Sequence, residues 1–138
     1  MSEMYAENIL YHYQNPSNKG VIPEAQVKIE DTNVLCGDKV ALYAKLSGDK
    51  IERLTFEGSG CAISMASASM LTEKAVGMSV KEVVAMNQKD VMDMMGLPSL
   101  TPMRVKCAML SLRTLQKGLV AYESKNGGQS PPGNGSEP

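Results

Sequence analysis

The sequence predicts an α+β fold in which a three-stranded antiparallel sheet is covered on one side by helices. Two observations carry this prediction. Residues 25–57 alternate between apolar and polar side chains, with the period of two that a half-buried strand requires. From residue 61 onward the apolar residues recur instead at helical spacing. A run of strands followed by a run of helices is typical of the α+β class.

Length and composition limit the function classes. The chain has 138 residues, which suits one domain, and its formal net charge of −1 provides no basic field for nucleic acid or an anionic membrane. No apolar run approaches the ~18 residues of a membrane span. The N-terminus "MSEMYAENILYHY" lacks the basic and apolar regions of a signal peptide. We therefore expect a cytoplasmic protein with neither nucleic acid nor a membrane as its partner.

The first element is a predicted helix that reaches Tyr13 and is ended by Asn15-Pro16. Residues spaced four apart along this helix form its expected buried face, namely Tyr5, Ile9 and Tyr13. The single histidine, His12, lies between two tyrosines, and we expect it to be an ordinary surface or interface residue.

Three strands follow in a meander. The segments "AQVKIED", "KVALYAKLS" and "IERLTFEG" each place apolar side chains at alternate positions. The turn "SGDK" between the second and third segments is typical of a tight hairpin. The segments therefore predict an antiparallel sheet with one buried face.

The helices of the second half carry recognisable end signals. "CAISMASASMLTEKAVG" ends at Gly77, Ser79 and Glu82 have capping-box spacing, and "QKDVMDMMG" predicts a further short helix. The longest helix begins with Thr101 as N-cap and Pro102 as its first residue. Its apolar stripe consists of Val105, Ala108, Leu112, Leu115, Leu119 and Tyr122.

The C-terminal residues differ in composition from the rest. After Lys125 the chain reads "NGGQSPPGNGSEP", which has no apolar side chain to bury. We therefore predict a folded domain over residues 1–125 and a disordered tail over residues 126–138, whose deletion should affect neither stability nor function.

The three cysteines all fall near the ends of predicted elements. Cys36 lies in the loop before the second strand, with Asp38 two residues later, and Cys61 lies between a strand and a helix. Cys107 lies near the start of the longest helix, at the expected edge of its apolar stripe. Element ends of an α+β sandwich can converge, so these four side chains are candidates for one site.

Several interpretations remain open from the residues alone. Free cysteines are often buried packing residues, and Asp38 could be an ordinary turn residue. No C-x-x-C pair is present, so a zinc-finger type of site is weakly supported. Glycines beside Cys36 and Cys61 would let backbone approach a bulky ligand, which favours metal binding. A nucleophilic cysteine is disfavoured because no histidine lies near a cysteine in the sequence.

Three segments carry a resemblance to a known family. "CGDKVALYAKL", "FEGSGCAISMASASMLTE" and "RVKCAMLSLRTL" resemble the cysteine segments of the IscU/SufU/NifU-type iron–sulfur cluster scaffolds, and "YHYQNPSNKG" resembles their N-terminal helix and loop. The similarity spans about residues 4–122. The long match around Cys61 is specific, and the order and spacing of the cysteines agree.

The resemblance implies a function and a site. It assigns Cys36, Cys61 and Cys107 as thiolate ligands and Asp38 as the remaining ligand. It implies a non-enzymatic scaffold of the IscU/SufE-like fold, which assembles a transient [2Fe–2S] cluster with sulfur from a pyridoxal-phosphate (PLP) cysteine desulfurase and passes it to apo-acceptor proteins. Because a hard carboxylate holds cluster iron less firmly than a thiolate, we expect Asp38 to control lability more than assembly. Zinc, Zn²⁺, could occupy the same four groups.

One departure from the commonest family pattern keeps an alternative open. Lys106 stands where many IscU-type members have histidine, which resembles the SufU-type branch with its zinc-dependent sulfur acceptors. That branch usually carries an insertion between the second and third cysteines, whereas the 45 residues between Cys61 and Cys107 (62–106) resemble IscU. The alternative is therefore a zinc-dependent sulfurtransferase, with Lys106 either a solvated charge or a participant in sulfur transfer. The sequence also leaves a homodimer open.

Overall fold

The structure of the protein is a computed structural model that describes residues 2–34, 37–97 and 100–124, without the side chains of residues 2–6 and 103. Its elements are α1 (Ser2–Gln14), β1 (Val27–Asn33), β2 (Asp38–Ser47), β3 (Lys50–Ser59), α2 (Ala62–Ala75), α3 (Val80–Val84), α4 (Gln88–Met95) and α5 (Pro102–Tyr122). This order confirms the predicted α+β fold. The predicted tail, residues 126–138, lies outside the described residues, so the proposed domain boundary at 125 stays a prediction.

The sheet is antiparallel with the strand order β1-β2-β3, and the predicted hairpin is present. Ser47 pairs with Lys50 across a two-residue turn in which Gly48 has φ of 63°. Alternate residues along β2 face the helices and are buried, namely Asp38, Val40, Leu42, Ala44 and Leu46. A carboxylate therefore lies on the same face of the strand as four core residues.

Helix α2 lies at the centre of the molecule. It contacts α1, α4, α5 and β3, and its side chains from residue 64 to residue 72 are all buried. Neighbours approach on several sides, which explains why half of the residues of this helix are small Ala or Ser and why it shows no single apolar stripe. The N-terminal end of this central helix is thereby held in place by most of the fold.

Helix α5 packs across the sheet along the predicted apolar stripe. Ala108, Leu112, Leu115 and Leu119 are buried, and Gly118 passes close to β1. A Cβ atom at Gly118 would lie 2.7 Å from Ile29 Cγ2, so a glycine is needed for this approach. No helix within the described ranges combines the length and apolar character that crossing a membrane requires.

The buried face of α1 differs from the predicted one. Ile9 is buried as expected, but Tyr13 is 44% exposed. His12 is buried, and its Nδ1 lies 2.7 Å from Ser69 Oγ on α2. Of the two predicted alternatives, a surface histidine was therefore wrong, because α1 turns the Ile9–His12 side towards α2 and a serine on α2 partners the imidazole. The interface alternative stays a prediction.

The segment that follows α1 lies along the outer edge of β3. Gly20 donates its N–H to the Phe56 carbonyl at 2.9 Å, and Phe56 donates its N–H to the Asn18 carbonyl at 3.0 Å. A short parallel pairing between Lys19 and Phe56 results. This segment thus covers the middle of the β3 edge.

Candidate metal centre

Three elements bring three potential ligands together at one end of the molecule. Asp38 opens β2, Cys61 is the N-cap of α2, and Cys107 lies in the second turn of α5. One ligand atom from each side chain can be chosen so that all three lie within 4.8 Å of one another. Asp38 is 1% exposed, Cys107 is 0% exposed, and Cys61 is half-buried. Of these three described side chains, Cys61 is therefore the one through which the site is open to solvent.

The position of Asp38 follows from the pleat of β2 and from a hydrogen bond to α2. The strand turns Asp38 towards the helices, where its Oδ1 accepts the backbone N–H of Cys61 at 3.0 Å. The Cys61 Sγ lies 3.7 Å from Asp38 Oδ2, within the reach of a weak thiol–carboxylate hydrogen bond. One carboxylate oxygen thus holds the helix end, and the other faces the thiol.

Gly60 makes the approach of Asp38 possible. A Cβ atom at Gly60 would lie 2.5 Å from Asp38 Oδ1 and 2.9 Å from its Cγ. Real Cβ atoms do not come so close, so any other residue here would displace the carboxylate. The sequence suggested that the glycines before Cys61 make room for a ligand, and Gly60 makes room for Asp38.

Cys61 is an N-cap residue whose side chain does not cap. Its backbone is extended (φ −74°, ψ 166°), and its side chain forms no capping hydrogen bond with α2. The thiol therefore faces Asp38 and Cys107.

Cys107 is more deeply placed than the sequence predicted. We expected it at the edge of the buried face of α5, but its side chain is fully buried. Helix α2 covers this side of α5, where Ser67 donates a hydrogen bond to the Ala108 carbonyl at 2.6 Å. A second buried stripe therefore runs beside the apolar one, formed by Cys107, Ser111 and Thr114.

The fourth predicted ligand, Cys36, lies outside the described residues. Along the chain it precedes Asp38 by two residues, between the end of β1 at Asn33 and the start of β2 at Asp38. Its membership of the site stays a prediction.

The donor set fits a metal that prefers thiolates. Two sulfur ligands of one tetrahedral zinc ion are about 3.8 Å apart, given Zn–S bonds of about 2.3 Å. Ligand atoms that lie within 4.8 Å of one another need only small side-chain movements to reach that geometry. Two sulfurs and one carboxylate oxygen suit zinc or iron, whereas magnesium and calcium prefer oxygen alone.

The lysines nearest the site in sequence do not lie inside it. Lys106 is exposed. Lys39 lies on the opposite face of β2 from Asp38 and donates a hydrogen bond to Glu30 at 2.9 Å. This hydrogen bond and the charge of Glu30 raise the pKa of Lys39. Neither described position puts an ammonium group among the buried ligands.

One polar side chain of the site, Ser64, was not predicted from the sequence. Ser64 is buried, and its Oγ lies 3.9 Å from the Cys61 Sγ. The signal was present, because Ser64 follows the N-cap by three residues, as Glu82 follows Ser79 at the start of α3.

Comparisons with known proteins agree with this geometry. The profile of the NifU-like N-terminal domain matches residues 4–129. The zinc-dependent sulfurtransferase SufU of Bacillus subtilis is 37% identical over 142 aligned positions, covering 91% of this chain and 96% of that protein. The iron–sulfur cluster assembly scaffold protein IscU 1 of Archaeoglobus fulgidus is 33% identical, over 90% of this chain and 80% of its own length.

Solved structures show the same architecture. A candidate scaffold protein for the SUF system from Fervidobacterium islandicum superposes with a TM-score of 0.71 and 33% identity, over 86% of this chain and 99% of that one. The N-terminal part of a NifU-like protein from Brucella abortus also has a TM-score of 0.71, over 88% of this chain and 95% of that one. At 22% identity, this second likeness concerns the fold alone.

Proposed function

The chain belongs to the family of NifU-like N-terminal domains, and from this premise we propose that it is a scaffold that assembles a transient [2Fe–2S] cluster and passes it to apo-acceptor proteins. The observation that carries the proposal is the convergence of Asp38, Cys61 and Cys107 within 4.8 Å. In this function the cluster is cargo, and the protein has no turnover of its own.

The ligand chemistry suits temporary binding. Cys61 and Cys107, together with Cys36 from the neighbouring loop, would supply three soft thiolates that anchor iron and sulfide. Asp38 would supply the fourth ligand as a harder and weaker donor. A site with three strong ligands and one weak ligand can hold a cluster during assembly and still release it to a competing thiolate.

The open side at Cys61 is where partners would reach the site. Cys107 and Asp38 are buried, whereas Cys61 retains some exposure. We assign sulfur delivery to a PLP-dependent cysteine desulfurase, whose persulfide sulfur would arrive at Cys61. The homodimer and the cytoplasmic location stay predictions.

The second candidate function is a zinc-dependent sulfurtransferase. The Bacillus subtilis relative that bears this name supports it, as does Lys106 at the position of the IscU-type histidine. Zinc would then be held by the same residues, and one cysteine would accept persulfide sulfur. The protein would in that case be an enzyme.

Metal content distinguishes the two functions. The protein is purified without oxygen, its zinc is measured, and it is then incubated with ferrous iron, cysteine and a cysteine desulfurase. The scaffold function predicts visible absorbance, about two irons and two sulfides per cluster, and transfer to an apo-ferredoxin. Tightly bound zinc that iron does not displace, together with desulfurase turnover that rises on addition of the protein, would establish the sulfurtransferase instead.

A further inference from the structure

Ser64 is a buried hydroxyl that has no hydrogen-bond partner closer than 3.5 Å among the residues that the structure describes. Its residue is 2% exposed. The two contacts of its Oγ are both long, 3.5 Å to the carbonyl oxygen of Cys61 and 3.9 Å to the Sγ of the same residue. A buried hydroxyl usually has a partner at 2.7–2.8 Å, so the Ser64 hydroxyl is available to donate a stronger hydrogen bond to a nearby acceptor.

Two other helices show what this position normally does. Ser64 is the third residue after the N-cap, the position that Glu82 holds in α3 and Asp90 holds in α4. There the acidic side chain accepts the backbone N–H of the N-cap residue, at 2.9 Å in both helices. In α2 that N–H, on Cys61, is already bonded to Asp38 from β2. The Ser64 hydroxyl is therefore free of the capping role.

We propose that Ser64 is a positioning residue for Cys61, whose hydroxyl donates a hydrogen bond to the Cys61 sulfur once that sulfur is a metal-bound thiolate. The inference rests on Cys61 being a metal ligand, as the proposed function requires. The hydrogen bond holds the thiolate towards Asp38 and Cys107, and it withdraws electron density from the sulfur. Cys61 thereby becomes a less reactive nucleophile while metal is bound.

The identity of the side chain agrees with this role. An acid at position 64, as in the other two helices, would set a negative charge beside a thiolate and the Asp38 carboxylate. A hydroxyl is the smallest neutral group that can donate a hydrogen bond to sulfur. Such a bond to a charged acceptor is stronger than one between neutral groups, so metal binding would draw Ser64 away from its long contact with the Cys61 carbonyl.

The test uses cobalt, Co²⁺, in place of zinc, because sulfur-to-cobalt charge transfer reports on the electron density of the thiolate. Ser64→Ala removes the donor and should shift the charge-transfer band to longer wavelength. It should also weaken cobalt and zinc binding about tenfold, the equivalent of one charge-assisted hydrogen bond. Alkylation of Cys61 by iodoacetamide in the zinc-loaded protein, located by mass spectrometry, should become several-fold faster.

Ser67→Ala is the matched control. Ser67 is also a buried serine of α2, but its hydroxyl donates to the Ala108 carbonyl at 2.6 Å. Its removal should lower the melting temperature and leave the cobalt band and the metal affinity unchanged. Ser64→Thr retains the hydroxyl and should restore the wild-type band.

The outcomes separate this inference from the function on which it rests. If the wild type shows the charge-transfer band, and Ser64→Ala has the same band and an affinity within twofold, Ser64 has no role towards the metal. A band in Ser64→Thr that matches the alanine variant, with a native melting temperature, would contradict the inference as well. If the wild type itself binds cobalt without a charge-transfer band, the thiolate site and the role of Ser64 fail together.

Discussion

The N-termini of α2 and α4 differ in how the backbone N–H of the N-cap residue obtains its hydrogen-bond acceptor. In α4 the Asn87 side chain accepts the Asp90 N–H at 3.1 Å, and Asp90 accepts the Asn87 N–H at 2.9 Å. All partners lie within four residues. In α2 the N-cap is Cys61, its side chain does not cap, and its N–H is held by Asp38, which lies 23 residues earlier in the chain.

The difference shows that the helix end at the candidate site lacks the local side-chain cap that α4 has. A closed capping box stabilises its helix without help from the rest of the fold. At α2 the capping role of the side chain is given up, so the thiol is available for chemistry and the carboxylate that replaces the box is itself a candidate ligand. The α2 terminus therefore depends on the docking of β2, and helix stability and metal binding are coupled there but not at α4.

The largest expected effect comes from removing a thiol. Serine in place of Cys61 or Cys107 should abolish stable metal binding while the far-ultraviolet circular dichroism stays native, because a ligand is lost and the volume is almost conserved. We expect the same of Cys36→Ser. Asn87→Ser at α4, which exchanges one good N-cap for another, is the control and should bind metal normally.

Cys107 is the cysteine at which this prediction is most easily contradicted, because its side chain is fully buried and could serve in packing. If Cys107→Ser unfolds the domain while the other two serine variants remain folded, Cys107 serves mainly in packing.

Gly60→Ala should have the next largest effect. The added methyl group would overlap Asp38 Oδ1, so the carboxylate must move and the Cys61 N–H loses its acceptor. We expect the zinc dissociation constant, measured by competition with a chelator, to rise about tenfold, together with a fall of about 1–2 kcal/mol in the free energy of unfolding.

A double-mutant cycle identifies the cause. In Gly60→Ala with Asp38→Ala the overlap is absent, so the two stability losses should not add. Additive losses would mean that the glycine acts through backbone conformation and not through Asp38.

Asp38→Ala should have a smaller effect, which lowers the stability of the fold and slows the loss of the cluster. The free energy of unfolding should fall by about 1 kcal/mol, because the Cys61 N–H loses its partner. At the same time the cluster should decay more slowly in air and transfer more slowly to an apo-acceptor. Loss of the charged oxygen reduces access by water or an acceptor's thiolate, and a thiol from solution or from the desulfurase fills the fourth position. Asp38→Asn, whose amide oxygen can still accept the N–H, should recover most of the stability. Faster loss of visible absorbance in Asp38→Ala would end the lability hypothesis.

Asn87→Ala should have the smallest effect and none on the site. Loss of an N-cap side chain typically costs about 1 kcal/mol, which urea denaturation can measure. Metal affinity should equal that of the wild type. A change in zinc affinity would mean that α4 and the metal centre are coupled and that the contrast between the two termini is not as clean as their hydrogen bonds indicate.

The strands and α5 could be predicted because each has one strongly apolar side that packs on the core. The alternation along β2 and the stripe from Ala108 to Leu119 identify the side that meets the core. His12 and Cys107 were misjudged for a common reason: α2 packs against a second side of both α1 and α5. Periodicity indicates the apolar side of a helix, but it does not show where a second helix of small residues will cover polar or sulfur-bearing positions.

Three of the four predicted ligands, Asp38, Cys61 and Cys107, lie together in the structure, but the contacts among them could not be predicted. The sequence shows a glycine beside Cys61, but only the folded chain shows that the Asp38 side chain occupies the space left by Gly60. A hydrogen bond across 23 residues leaves no periodic trace in the sequence. Cys36 stays a prediction because it lies outside the described residues.

The pairing of residues 18–20 with β3 also bears on aggregation. An exposed strand edge offers unpaired N–H and C=O groups on which a second chain can add a strand. At Phe56 both groups are already bonded within the chain, to Asn18 and Gly20. A growing fibril or a swapped dimer would have to strip this segment from β3 before it could pair there. The connection after α1 therefore blocks the addition of a strand at this point of the β3 edge.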